Sequence, residues 1–334
     1  MNPTCKRRGI ASVALVLTLA LTGCSKGDAG AERAEASAFA QPVHITNCER
    51  PATFDAPPQR IVSMNDHVTE TLILMGVGDR IVGMGYGESN PLPETAEQFR
   101  KIPSLAREYP SAEQIRDLEP DLVVGGMRSA FDPKEGRDRD ELEKEGIATF
   151  LFSEYCGNGF PSIGLLENDF AQLGELLGAQ TEAAALTGRV TEPLERVRSA
   201  LAAAGAQPVP TFFYDGGEAE PLSIGGVGIG NLIAEYAGAR NITSEGRKPY
   251  TTTTWETVGE RAPEAIVVLD YGNAPVAQKL AYLRSQPIAS ATPAVRNDRI
   301  IVVPLDDFFE SPRMVTSVET IARALHPDVF GGKG

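Results

Sequence analysis

The stretch Ser111-Ala112-Glu113-Gln114-Ile115 runs into Pro120-Asp121-Leu122-Val123-Val124, and Thr254-Trp255-Glu256-Thr257-Val258 later runs into Pro263-Glu264-Ala265-Ile266-Val267. In both, a hydroxyl residue stands two positions before a glutamate, and a proline stands seven positions after that glutamate. Each copy reads as the same local device. The hydroxyl caps a short helix, the glutamate lies in the first turn where the helix dipole favours an anion, and proline stops the helix ahead of a buried strand. Ser111 and Gln114 also have the spacing of a capping box. Taken alone, each glutamate is a helix-start carboxylate; the repetition is what points to two similar halves.

Outward from these copies the chain alternates short β-branched runs with helical patterns. In the first half the runs are Ile61-Val62-Ser63-Met64, Ile81-Val82-Gly83-Met84, Leu122-Val123-Val124 and Thr149-Phe150-Leu151-Phe152. In the second they are Thr211-Phe212-Phe213-Tyr214, Ile266-Val267-Val268-Leu269 and Ile300-Ile301-Val302-Val303. Strand, helix, strand at this spacing predicts parallel sheets with helices on their faces. Between the halves, Leu186, Val190, Leu194, Val197 and Leu201 recur at threes and fours, which predicts one long helix from about Thr181 to Ala204 that Pro193 bends or divides. The expected class is therefore α/β: two Rossmann-like lobes with parallel sheets, over 41–180 and 206–334, joined by a long helical segment at 181–205.

The first residues carry export signals. Lys6-Arg7-Arg8 precede an apolar run from Ile10 to Leu21 that is short for a membrane span, followed by Leu21-Thr22-Gly23-Cys24. This matches a lipobox, so 1–23 reads as a signal peptide, Cys24 as the lipidated first residue of the mature chain, and 24–40 as a small-residue, polar tether holding it to the membrane. Of the four cysteines, Cys5 leaves with the leader and Cys24 takes lipid. Cys48 and Cys156 remain, and outside the cytoplasm they read as a disulfide or, failing that, two buried thiols. The formal net charge is −14, and losing the three leader cations takes it to −17, which argues against a nucleic-acid partner.

With its marks in order, the chain resembles the helical-backbone substrate-binding proteins of ATP-driven (ABC) importers for ferric siderophores, haem and cobalamin. The marks are Pro58-Gln59-Arg60-Ile61-Val62, the two glutamate-to-proline repeats, Gly238-Ala239-Arg240-Asn241-Ile242 and Ser311-Pro312-Arg313, and they extend the resemblance over about 43–330. It implies a monomeric receptor without catalysis or a cofactor. It further implies that Glu113 and Glu256 pair with arginines of the membrane permease, and that an iron-siderophore-like chelate sits between the lobes; cobalamin, haem or a cofactor precursor is the alternative ligand.

The loops after the strands, where open α/β sheets bind ligands, carry Tyr86, Arg107, Tyr109, Arg128, Tyr155, Trp255, Tyr271, Phe308, Phe309 and Arg313. Aromatics suit the flat face of a chelate and arginines its carboxylates. We take Tyr86, Arg107, Arg128, Tyr155, Trp255, Tyr271, Phe308 and Arg313 as the expected ligand contacts, although each is of a type that also serves ordinary packing. A bare metal ion is disfavoured as cargo because the three histidines, His44, His67 and His326, are scattered. The run Gly225-Gly226-Val227-Gly228-Ile229-Gly230 lacks the spacing and lysine of a phosphate loop and reads as a turn into a helix. A surface-anchored enzyme, which turnover lost on mutating Asp66 or His67 would favour, or a ligand sensor remains open as a rival; no Gly-x-Ser-x-Gly or His-Glu-x-x-His motif supports the enzyme.

Overall fold

The computed structural model describes residues 37–157, 162–272 and 275–331. The expected signal peptide, Cys24 and nearly all of the expected tether lie outside the described residues. The chain opens with an antiparallel hairpin, β1 (Val43–Asn47) and β2 (Arg50–Phe54), turning through Cys48 and Glu49 at φ 53° and 64°. Both turn residues take the left-handed conformation that a two-residue hairpin of this hand requires. The usual Asn-Gly signal is missing, which is why this hairpin is hard to read from sequence.

The first lobe is a five-stranded sheet built from β3 (Ile61–Ser63), β4 (Ile81–Gly85), β5 (Ser104–Ala106), β6 (Leu122–Gly125) and β7 (Ala148–Leu151), in the order β5-β4-β3-β6-β7. Every pairing in it is parallel. Its central strands β3 and β6 are buried at every position, as expected of strands covered by helices on both faces. The second lobe holds β8 (Val209–Tyr214), β9 (Leu222–Ile224), β10 (Ala239–Asn241), β11 (Tyr250–Thr252), β12 (Ala265–Asp270) and β13 (Ile300–Pro304). Four of them form a parallel sheet in the order β10-β8-β12-β13, while β9 and β11 form a small antiparallel pair. Both sheets agree with the α/β expectation.

The connecting segment consists of two helices, Ile163–Leu177 and Gln180–Ala203. They are separated at Gly178, whose φ of 68° closes the first helix with a left-handed residue. The second helix runs through Pro193 without dividing, because Leu186, Val190, Leu194, Val197 and Leu201 are all buried along one face. Proline removes one backbone hydrogen bond at a cost of about 3 kcal/mol, and each buried leucine or valine returns about 1.5 to 3 kcal/mol. One apolar core runs from Leu72 and Phe170 of the first half, through this helix, to Phe213, Met314 and Val318 of the second. The helix thus acts as a spine shared by both lobes.

The two repeat units form as the spacing predicts. Ser111 and Gln114 complete a capping box on the helix Ala112–Asp117, and the hydroxyl of Thr254 accepts from the backbone N–H of Thr257 on the helix Trp255–Arg261. Glu113 and Glu256 lie in the first turns, both exposed to solvent. Cys48 and Cys156 are joined, with Cα atoms 4.7 Å apart, which ties the hairpin turn to the segment after β7.

Candidate functional site

Where the two lobes face each other they enclose a cavity of about 760 Å³. The first lobe contributes Arg128, Glu154 and Tyr155, all on segments that follow the buried strands β6 and β7. The second contributes the backbone of residues 226–228 and the loop 244–249, including Arg247 and Lys248. The glycine run is explained here by backbone approach. A Cβ on Gly225 would lie 1.9 Å from the carbonyl oxygen of Lys248, and one on Gly226 would lie 1.7 Å from that of Ser244. No side chain fits, so the two loops pack backbone to backbone and form the cavity's second wall.

Arg128 is exposed at the start of a short 3-10 turn, and its Nη2 donates to the carbonyl of Tyr155 at 3.0 Å, which orders the first wall. Burial and the neighbouring Glu154 push the Tyr155 phenol well above its ordinary pKa, so it is a neutral hydrogen-bonding group. The Glu154 carboxyl is pushed up to about 7 by burial, while Oε1 accepts the backbone N–H of Ile229 at 2.9 Å from the opposite lobe. Tyr250 of β11 feels the charge of both Glu154 and Asp215 and is raised well above its usual value by burial. The cavity is therefore lined by the neutral Tyr155 phenol, the carboxyls of Glu154 and Glu245 and glycine backbone, with the cations Arg128, Arg247 and Lys248 among its walls.

The expected contacts separate into groups. Arg128 and Tyr155 line the cavity. Tyr86 follows β4 at φ 56° and packs edge-on against Tyr109, with ring centroids 5.1 Å apart; the Tyr109 hydroxyl pairs with that of Ser129 at 2.8 Å. Arg107 is exposed and faces Glu88 at 3.6 Å. Tyr271 is 40% exposed after β12, with the Lys279 ammonium 4.2 Å from its ring centre.

Trp255, Phe308 and Arg313 lie elsewhere. Trp255 is 5% exposed, packs against Phe212, Tyr214 and Tyr282, and donates Nε1–H to the carbonyl of Glu218 at 2.7 Å. It occupies the second lobe's core, because the first helical position of its repeat points inward beneath the capping Thr254. Phe308 packs on Phe213 in the shared core, and Phe309 stacks on His67 with centroids 4.7 Å apart. Arg313 is buried in an ion cluster with Glu70 and Asp307.

The histidines sit in three separate settings: His44 pairs with Thr53 on the hairpin, His67 stacks on Phe309, and His326 meets the Gly238 carbonyl. Glu154 and the loop 244–249 had no sequence signal as site residues. Glu154 follows a strand with no motif, and 244–249 is an ordinary polar loop until the glycine run brings it into place.

Two parallel α/β lobes on a helical spine, with a cavity between them, are the architecture of an extracytoplasmic solute receptor. The chain belongs to the periplasmic binding protein family, whose profile matches residues 61–306. It is similar over 329 residues, at 23% identity, to an uncharacterized ABC transporter substrate-binding lipoprotein, YvrC, of Bacillus subtilis, covering 97% of this chain and 99% of that one. It is 24% identical over 212 residues to a vitamin B12-binding protein of Vibrio campbellii, covering 64% of this chain and 71% of that protein. A solved structure from an ABC-type Fe3+-hydroxamate transport system of Saccharomonospora viridis superposes with a TM-score of 0.71 at 27% identity, covering 85% of this chain and 98% of that one. The protein is thus a substrate-binding protein of the ABC-transporter type. No helix among the described residues is long and apolar enough to cross a membrane.

Proposed function

We propose that the chain is the lipid-anchored receptor of an ABC importer, which captures an iron-siderophore-like chelate between its lobes and delivers it to a membrane permease without catalysing a reaction. The observation that carries this reading is the interlobe cavity of about 760 Å³, large enough for a chelate, with Arg128 and Tyr155 on one wall and Arg247 and Lys248 on the other. A neutral phenol and spaced cations suit a bulky ligand that brings its own metal donors and presents hydroxamate or carboxylate oxygens outward. The similarity to a structure from a ferric-hydroxamate system supports the siderophore reading. A corrinoid is the second reading, favoured by the relatives named for vitamin B12 and cobalamin.

The test is calorimetric titration of the purified mature chain with ferric hydroxamates, haem and cyanocobalamin. One of them should bind at or below micromolar, corresponding to about −8 kcal/mol. Calorimetry suits this site better than tryptophan fluorescence, since Trp255 is packed in the core. Tight binding of a bare ferric or zinc ion, with no binding of any chelate, would overturn the reading.

A further inference from the structure

The segment Ser153–Tyr155 is held from two sides by carboxyl groups. Asp169, on the first spine helix and fully buried, accepts both the backbone N–H and the hydroxyl of Ser153 at 2.5 Å. Glu310, 1% exposed and from the segment leading into the last long helix, accepts the backbone N–H of Glu154 through Oε2 at 3.3 Å. Glu154 then reaches into the second lobe and caps the helix Ile229–Tyr236 through the Ile229 N–H. A continuous chain of contacts therefore runs from the spine, through 153–154, to the second lobe.

Two features say how this chain is charged. The second oxygen of Glu310, Oε1, is buried and has no hydrogen-bond partner among the described residues. Asp169 and Glu310 lie within hydrogen-bond reach of each other, so one proton can be shared between the two carboxyls. The groups acting on the three carboxyls are one another, the Ser153 hydroxyl, the Ser153 and Glu154 backbone and the Ile229 N–H; no arginine or lysine is among them. Tyr155 and Tyr250 also face Glu154, and both phenols are held neutral. Two ionised carboxylates side by side without a cation would repel in a low-dielectric interior.

We propose that Asp169, Glu310 and Glu154 form a proton-operated latch between the lobes: a proton shared by Asp169 and Glu310 holds residues 153–154, and through Glu154 the start of the helix Ile229–Tyr236, in the closed arrangement. Loss of that proton frees the Glu154 arm. Burial pushes Asp169 up to about 6 and Glu310 well above the usual carboxylate range, so the latched form binds protons that an opened form releases. The contribution is therefore full at low pH and is lost as pH rises through about 6, where Asp169 titrates, and above that for Glu310. Glu154 also lines the cavity, so the latch is read in ligand-free protein.

The test is hydrogen exchange of the Ile229 amide in ligand-free protein at about pH 5 and about pH 8, corrected for the intrinsic pH dependence of exchange. Opening should rise by about tenfold or more at the higher pH. Glu310→Gln, whose amide mimics the protonated acid, should show less than about twofold change, and Asp169→Asn serves if that variant does not fold. A flat wild-type profile, or an equally steep profile in the variant, overturns the proposal. If neither variant can be purified, a steep profile at Ile229 beside a flat one at Val267, in the middle of β12, supports it, and equal slopes at the two amides overturn it.

Discussion

Arg313 of the second lobe reaches Glu70 of the first, with Nη1 3.2 Å from Oε2, and both side chains are almost completely buried. The same guanidinium donates Nε–H to Asp307 at 2.7 Å and Nη1–H to the carbonyl of Asn90 at 2.9 Å. Glu70 in turn holds the 92–95 segment, accepting the backbone N–H of Leu92 and the hydroxyl of Thr95. One side chain therefore joins the lobes.

Removing that side chain leaves Glu70 and Asp307 buried and unpaired. Arg313→Ala should cost about 3 to 5 kcal/mol, the usual consequence of breaking a buried ion pair from one side. The melting temperature should fall on the order of 10 °C. Replacing both partners with neutral residues, as in Arg313→Met with Glu70→Gln, should recover part of the loss. A thermal scan of the three proteins decides this; an unchanged midpoint in Arg313→Ala would show that the charges are already solvated.

The disulfide spans 108 residues, so closing it removes much of the freedom of the unfolded chain. In the chain-entropy view this contributes about 4 to 5 kcal/mol. Cys48→Ser should lower the urea midpoint without unfolding the protein outright, since the hairpin is also tied by Asn47, whose side chain bonds both the N–H and the carbonyl of Leu151 at 2.8 Å. Peptide mapping of exported protein without reductant should recover the two cysteines in one linked fragment; two alkylatable thiols would refute the pairing in the cell.

Glu113 and Glu256 are exposed at equivalent first turns of the two lobes. If they dock the receptor on two like basic pockets, charge reversal of either to lysine should leave folding and ligand affinity unchanged while uptake falls, by about 100-fold in docking affinity. The double reversal should be worse. Normal uptake by the double variant would leave the two glutamates with only the helix-start role that their capping positions already explain.

Cys24, outside the described residues, is expected to anchor the chain through lipid. Detergent-phase partitioning of cells expressing wild type and Cys24→Ala should move the protein from the detergent phase to water. Wild type already in the aqueous phase would rule out the anchor.

Much of the architecture is carried by local patterns. The paired helix-to-strand repeats, the β-branched runs of both sheets and the threes-and-fours of Leu186 to Leu201 each require neighbours a few residues apart, so they are visible in one dimension. The hairpin at 43–54 escaped because its left-handed turn is Cys48-Glu49, residues that carry no turn signal.

Which loops face the cavity is a different kind of fact, because it depends on how two lobes pack across hundreds of residues of chain. Trp255 and Phe308 look like ligand aromatics at strand-helix edges, yet each finds its partners in the core, where burying a large ring is worth more than presenting it to solvent. Arg313 has the charge of a ligand contact but is claimed by Glu70, a residue of the opposite lobe. Glu154 and the 244–249 loop gain their place from contacts with Ile229, Gly225 and Gly226 that no spacing in the sequence encodes. The sequence by itself determined the two lobes and their spine; the tertiary packing decided which polar and aromatic side chains remain to meet a ligand.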